Sequence, residues 1–481
     1  MALSRIPSFL LRCRYDAMQT LFGNLEVGRK SLLAQQLALQ VTGNNIANVN
    51  TPGYTRQRAV LAESLAQDTP AGPIGTGVDV QTVESVRDQF LEARLGSVIQ
   101  DSSREDAVAG YLNQVQSVSA VSQAGLRDAL SRFFNSFSAL ATDASSLPLR
   151  SSLISAAQNL TTTFQNSAQQ LTEIRENADA AIVDAVNQIN SLTARIGSLN
   201  QQITNTEFGG SHANSLRDER AEALNQLASF IDIHYYEAED GTLSVSTAGQ
   251  SLVTANFVQA LRAQQTAPYG FSQIIAGQTD ITGSIQGGRL SGLVQVRDVI
   301  VPNYQADLDT LASNVINQIN TVHTGGTDLQ IPPTSPALDF FNPVSGTAGA
   351  ARAISVNAVI AGDARYIAAG RSGAPGDNAN ALALADLGNQ RILASGTQTF
   401  ADAIASLQSR IGTDAQRAQS ELETNNAIRT QLENSRDAVS GVSLDEEAVD
   451  LIKFQRAYQA SAKYISVIDQ LMEYIVTTLG A

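Results

Sequence analysis

Two amphipathic seams sit at opposite ends of this chain of 481 residues, and each needs a partner. Near the end of the sequence, Leu444, Leu451, Tyr458, Ile465, Met472 and Leu479 recur every seven residues. Ala448, Gln455 and Ala462 form a second line between them. A 4-3 alternation of this kind lays one stripe of a helix against another helix. No Gly or Pro interrupts 442–479, so one helix of about 50 Å is expected at ~1.5 Å per residue. A single apolar seam that long is not stable alone in water. Near the start, Leu25, Leu32, Leu39 and Ile46 repeat at the same spacing, and Leu33, Leu37 and Val41 widen the stripe. The simplest structure pairs the two ends antiparallel. The Asn, Gln and Ala on their remaining faces suit solvent and further copies of the chain equally.

Local signals frame both helices. Ser443 is the expected N-cap of the last helix, with Glu446 as its capping-box partner. Asp445, Glu446 and Glu447 place negative charge in the first turn, where the helix dipole favours it. The first helix should end near Gly43, in a corner built by Asn44, Asn45, Asn48 and Asn50, whose side chains compete for backbone hydrogen bonds. Pro52-Gly53 suits a type II turn. Arg56 and Arg58 then alternate in an extended segment, and 60–83 reads as a small β element or extended loop.

Between the ends the pattern is mainly helical. Helices are expected at 88–100, 107–123, 126–141, 149–164, 171–208 and 216–230. The long one carries the apolar line Ile182, Val186, Ile189, Thr193, Ile196 and Ile203. At Ile231 the period shortens to two, with turns at Asp240-Gly241 and Ala248-Gly249, so a β-hairpin region follows. Further strands are expected at 257–261, 281–285 and 353–359. A helix from Leu293 to about Thr321 contains Pro302, which bends it or marks its start. The segment 325–349 should loop outward, with Phe340 and Phe341 as anchors, and 400–440 is helix-compatible throughout. The expected fold is therefore mainly α, a long-helix rod or bundle with a coiled-coil-like terminal pair and a small β-rich insert. The divisions are 18–60 with 441–481 as paired ends, 61–87 as an extended β linker, and 88–230, 293–324 and 381–440 as a helical domain. Residues 231–292 form a β-containing segment and 325–380 a small loop and β insert. Residues 1–17 read as a doubtful extension, with translation from Met18 as the alternative.

Composition narrows the function classes. Charged residues are 16% and aromatics 5%, with no Trp, which suits thin Ala-rich helical layers better than a large globular enzyme. The formal charge of −15 argues against nucleic acid or anionic membrane as a default partner. One cysteine, Cys13, allows neither an internal disulfide nor a cysteine zinc site. No apolar run approaches the ~18 residues of a membrane span. Arg5, Arg12 and Arg14 flank too short an apolar run for a signal peptide. Gly209-Gly210-Ser211-His212 with Asp218 and Glu219 is the best catalytic candidate. A loop before a helix, with Asp218, Glu219 and Arg220 on a solvated face, explains it more simply. Asp377 suits a capped turn better than a calcium site. No Walker, HExxH or CxxC pattern is present, so no cofactor, metal or catalytic residue is expected.

The run GNNIANVNTPGYTRQ at 43–57 resembles the N-terminal signature of flagellar axial proteins, and its Arg-Gln ending is similar to the hook-associated protein 1 family. GVSLDEEA at 441–448 and FQRAYQASA at 454–462 resemble that family's C-terminal signature. LRDER at 216–220, GGRLSGL at 287–293 and GDNANAL at 376–382 match inside the chain, so the likeness runs from Met18 to Ala481. It implies a structural junction subunit between flagellar hook and filament, extracellular, and exported without a cleaved signal peptide. The paired ends would form an inner tube domain. Hook protein, a second junction protein and further copies in a ring would be its partners, with an export chaperone on the C-terminal helix; neither nucleic acid nor membrane insertion is implied. The assembly surface would comprise Leu25, Leu32, Leu39, Ile46 and the four Asn residues on one side. Leu444, Leu451, Gln455, Tyr458, Ala462, Ile465, Met472 and Leu479 would supply the other. A rod or hook subunit, or a secreted adhesin or enzyme with flagellar-type ends, is the competing reading.

Overall fold

The computed structural model describes residues 8–69, 72–265, 270–374 and 376–479; side chains 8–19, 69, 121, 124, 478 and 479 are outside the description. Residues 1–7 of the expected extension, Pro70, and the side chains of Cys13, Met18 and Leu479 therefore lie outside the described residues. Helix α1 (Ser8–Ala47) leads through a turn to strands β1 (Gln57–Glu63), β2 (Gln67–Thr69), β3 (Gly72–Ile74) and β4 (Val78–Ser85). β1 and β4 form an antiparallel ribbon and β2 and β3 a short hairpin. The ribbon lies along α1, where Lys30 Nζ reaches Ser64 Oγ at 3.0 Å and Asp79 Oδ2 at 3.1 Å.

The body is a bundle of long helices. α2 (Gln89–Leu140) runs antiparallel to α3 (Leu147–Glu207), and α10 (Phe400–Ser440) returns along α2. Three expected helices merge into α2 and two into α3. The gaps between them stay helical, and the hydroxyls within them bond back to the preceding turn: Ser102 Oγ to the Ile99 carbonyl at 3.1 Å, Ser167 Oγ to the Thr163 carbonyl at 2.8 Å. Packing on both flanks holds them in that state. Helix α4 (Asn214–Phe230) then turns beside α3. Asp218 and Arg220 are buried in it, so the expected solvated face holds only for exposed Glu219.

Two small antiparallel sheets lie against the second half of α3. One has the order β5 (His234–Glu237), β6 (Leu243–Thr247), β7 (Gln250–Thr254), β8 (Phe257–Val258); the other the order β11 (Thr279–Asp280), β10 (Ser272–Ala276), β9 (Leu261–Gln265). The turn glycines Gly241 and Gly249 have φ of 79° and 74°, which favours a residue without Cβ. The expected strand at 281–285 is replaced by a 3-10 turn. Asp280 Oδ1 takes the Thr282 amide at 2.9 Å and its hydroxyl at 2.6 Å, which curls the chain. Helix α5 (Gly288–Gln295) passes through a π turn into α6 (Val301–Thr324). Pro302 is at the start of α6, so it marks a beginning.

The expected strand at 353–359 is instead two short helices, α7 (Ala350–Ala353) and α8 (Ala358–Gly362). The reason is capping: Asp309 accepts the Gly349 and Ala351 amides at 2.8 and 2.9 Å, and Asn357 accepts the Val359 amide at 3.0 Å. A single bridge, Phe341 to Val356, remains of the strand. The segment 325–349 does not simply loop outward. Ile331 is exposed, but Phe340 and Phe341 are wholly buried: their ring centroids lie 5.0 Å apart, Phe340 is 5.8 Å from both Phe133 and Phe137, and Phe341 is 5.7 Å from Phe133. After α9 (Ala379–Asp386) and α10, the last helix α11 (Leu444–Leu479) runs antiparallel to α1. The protein is a mainly α long-helix bundle with a small β-rich insert.

His323 supports the insert from the core. It is fully buried on α6; its Nδ1 lies 2.7 Å from the Leu338 carbonyl and its Nε2 accepts the Ala368 amide at 2.9 Å. This arrangement needs the neutral ring, and burial lowers its pKa from 6.5 to about 4. The unfolded chain takes up the proton first, so this stabilisation is complete above the unfolded pKa and is lost as pH falls toward the folded one. Wild type should therefore lose roughly 3 kcal/mol more stability than His323→Gln between pH 7 and pH 4 in chemical denaturation. Parallel pH profiles would contradict this.

Candidate assembly interface

The terminal pair aligns Asn45 with Glu447, Ser31 with Ser461 and Gly28 with Ile465. Leu451, Tyr458, Ile465 and Met472 are half-buried on the face of α11 toward α1. The alternate line of that face is Phe454, Ser461, Ile468 and Ile475. It is not the expected Ala448, Gln455 and Ala462: Ala448 and Gln455 face solvent and Ala462 is half-buried. The other offset, three residues after each seam position, follows the helical face here. Leu444 is 52% exposed. Arg456 and Gln459 also face out, so neither packs on α1.

On α1, Leu25, Leu32, Leu39 and Ile46 are half-buried, while Gly28, Ala34, Ala38, Val41, Thr42 and Asn45 are fully buried. The closest approach is made by small residues, which the leucine periodicity conceals. A Cβ on Gly28 would stand 2.7 Å from Ile465 Cγ1. The signal was present as Ala34, Ala38 and Thr42 at four-residue spacing, one lane beside the leucines.

The corner is held by polar groups. Asn45, 1% exposed, is fully used: its amide donates to the Gln57 carbonyl at 2.8 Å and Glu447 Oε2 at 3.1 Å. Its oxygen accepts the Tyr54 hydroxyl at 2.8 Å and the Gln57 amide at 3.0 Å. Burial, with Asp218 and Glu447 nearby, pushes the Tyr54 phenol up to about 12, so it stays a donor. Asn44 donates to Tyr54 Oη at 3.2 Å, and Asn48 donates to the Asn44 carbonyl at 2.9 Å. Asn50 is exposed, and among the described residues nothing bonds its side chain. Gly53, φ 78°, makes the expected tight turn.

Arg56 is the residue that motif spacing left without a role. Its guanidinium reaches Glu446 at 2.7 Å, Glu447 at 2.7 Å and Asp450 at 3.9 Å. Its amide donates to the Ser440 carbonyl at 2.9 Å, and its carbonyl accepts the Val86 amide at 2.8 Å. The acids of the first turn of α11 thus bind a specific cation rather than only complementing the dipole. Glu446 is turned to Arg56, and its amide lies 3.5 Å from Ser443 Oγ, so the expected capping box does not close.

The acidic turn considered for calcium is closed by structural bonds. Asp377 accepts the Arg371 and Ser372 amides at 2.7 and 2.6 Å and the Ala379 amide at 3.0 Å, which holds its carboxyl well below the usual range. His212 is exposed beside Glu207, with 3.9 Å between them. Among the described residues no group of His, Cys, Asp and Glu is placed to hold a metal. The corner yields a direct prediction. Asn45→Ala leaves Glu447 and the Gln57 amide short of partners, and should cost the terminal pair about 2–4 kcal/mol. Hydrogen exchange should show the loss at Gln57 and along 34–42 while α2 and α3 stay protected.

Comparison with known proteins agrees with this architecture along the chain. A family described as "Flagellar hook-associated protein FlgK helical domain" matches residues 112–341. "Flagella basal body rod protein" matches 25–55 and "Flagellar basal body rod FlgEFG protein C-terminal" matches 436–478. Flagellar hook-associated protein 1 of Bacillus subtilis is 31% identical over 508 residues, covering 96% of this chain and 99% of that protein. The Escherichia coli protein of the same name is 24% identical over 552 residues, covering 95% and 100%. A solved structure, the flagellar hook junction protein FlgK from Burkholderia pseudomallei, has a TM-score of 0.64 at 17% identity, covering 72% of this chain and all of that one; this likeness is one of fold. The chain belongs to the flagellar hook-associated protein 1 family.

Proposed function

We propose that the chain is a structural subunit of the bacterial flagellum that joins hook to filament, and that it works by packing and not by turnover. One observation carries the reading at residue level: α11 has two apolar faces and α1 covers only one. Val449, Ile452, Val467 and Leu471 are exposed on the opposite face. Ala460 lies between them, as do Lys453, Arg456 and Lys463. An exposed face that carries apolar side chains at both ends and cations between them, on a helix whose other seam is filled, offers a lattice neighbour both apolar and charged contacts.

On this reading the paired ends, 18–60 and 441–481, form an inner tube domain, and copies of the chain associate there in a ring. Hook protein packs on one side and a second junction protein on the other. The helices of the body form an outer domain with the β-containing segments outermost. The subunit is extracellular and leaves the cell without a cleaved signal peptide, with an export chaperone on the C-terminal helix. Among the described residues no helix is long and apolar enough to cross a membrane. The family relationship supports the partners, and the two-faced α11 supports the surface.

Leu471→Asp tests the outer face and Ile465→Asp the inner seam. Leu471→Asp should leave exchange protection at 34–42 unchanged and reduce incorporation at hook tips at least about tenfold. Ile465→Asp should open the pair and also stop incorporation, with the body still folded. Labelled wild-type chain in isolated hook–filament particles should mark the junction alone. Label along the hook, or normal incorporation of Leu471→Asp, would overturn the reading.

A further inference from the structure

We infer that the larger core of the body binds one buried water molecule, held by Gln123 on α2 and linking that helix to the helices packed across from it. Four helices meet at this level. Leu126 of α2, Leu171 of α3, Leu308 of α6, and Leu407 and Ile411 of α10 converge there, all of them buried. They do not close the space between them. A cavity of about 20 Å³ is left.

Two polar side chains interrupt this apolar wall. Ser119 and Gln123 are one turn apart on the same face of α2, and are 8% and 5% exposed. Both border the cavity. Gln123 Oε1 is shielded from solvent and has no hydrogen-bond partner among the described residues. A bare amide oxygen in an apolar core is expensive, and native cores pair such groups with protein or with ordered water. Exchanging the oxygen and nitrogen of this amide would leave a bare donor in the same place, so the demand for a partner stands for either orientation.

The size and chemistry of the cavity choose the partner. One water needs roughly 10–15 Å³ of space for its centre. About 20 Å³ admits it and is too small for an organic ligand. Among the described residues no charged side chain lines the cavity, so an ion there would have no counter-charge. A neutral water, by contrast, finds partners on several sides. Ser167 Oγ on α3 gives its proton to the Thr163 carbonyl at 2.8 Å, and Tyr304 Oη on α6 gives its own to Asp414 Oδ2 at 2.8 Å. Both oxygens keep lone pairs, and both residues border the cavity. The water donates one proton to Gln123 Oε1 and the other to a facing oxygen, and Ser119 supplies a hydroxyl beside it. That is within the roughly 2–4 partners a buried water makes. It bridges α2 to the opposite side of the core where the leucines leave a gap. Gln123 is about 50 Å along α2 from its first residue at ~1.5 Å per residue, so the site does not require α1 and α11 to be paired.

The test uses the full chain, deuterated and methyl-labelled at Leu and Ile. Methyl groups of Leu126, Leu171, Leu308, Leu407 and Ile411 should show cross-peaks to water. These should have opposite signs in the laboratory and rotating frames, as a water tumbling with the protein gives. Gln123→Met keeps the length of the side chain and removes both polar atoms. It should reduce the cross-peaks at least about tenfold, with exchange protection in α2 and α3 at its wild-type level. Gln123→Leu should do the same, and replaces it if the thioether disturbs the packing. Absence of water cross-peaks in the wild type would overturn the site. So would cross-peaks that persist in Gln123→Met or Gln123→Leu, because exchanging hydroxyl protons of Ser119 or Ser122 would then be their source.

Discussion

The carboxylate of Glu447, 2% exposed and bonded to Asn45 and Arg56, is the interaction on which the terminal pair depends. Heptad seams are degenerate along their length. Sliding α11 by one heptad against α1, about 10 Å at ~1.5 Å per residue, would again place apolar against apolar. It would also leave Glu447 and Asn45 buried and unpaired, which is far costlier than the loss of a few methyl contacts. The polar corner therefore selects one register, and the apolar seam supplies most of the attraction.

The body uses the same physics on α3. Side chains of this helix bond directly to backbone of the segments packed around it. Asn190 exchanges two bonds with Leu261, both 2.8 Å. Asn200 binds the Leu243 amide and carbonyl and the Ala255 carbonyl. Asp179 takes the Ser272 amide and the buried Arg297. Arg150, 1% exposed, is held by the carbonyls of Ala144, Ala364 and Ile367. Burial lowers its pKa to about 10, and it remains a cation. Loops and short strands with little core of their own are fixed by satisfied buried polar groups, whose loss is expensive.

The interior motifs that carry the family resemblance acquire structural explanations in this light. Arg217 binds Glu207 and Glu237, while Arg220 reaches Asn200, the Gly241 carbonyl and Glu237. LRDER is thus the joint where α4, the end of α3 and the first hairpin meet, with Asp218 turned the other way toward the corner. In GGRLSGL, Gly288 and Gly292 pass against backbone of the α4 end and of α2, where a side chain does not fit. GDNANAL combines the Asp377 loop cap with Asn380, fully buried on the Ala368 carbonyl.

Periodicity and turn chemistry alone determined the helical character of the body, the two terminal helices with their apolar seams, the Pro52-Gly53 turn and the hairpin at Asp240-Gly241. These follow from contacts between near neighbours in sequence. Tertiary structure decided what local pattern cannot carry. Packing on both flanks carried α2 and α3 through the gaps left between the shorter expected helices. Asp309, reaching from α6 to cap 349–351, turned an expected strand into helix. The face of α11 that meets α1 was settled by small residues on the partner, so the line through Ala448 and Gln455 turned outward. Above all, the match of Asn45 and Arg56 to Glu447 joins residues roughly four hundred positions apart, and only a folded body brings them within hydrogen-bond reach.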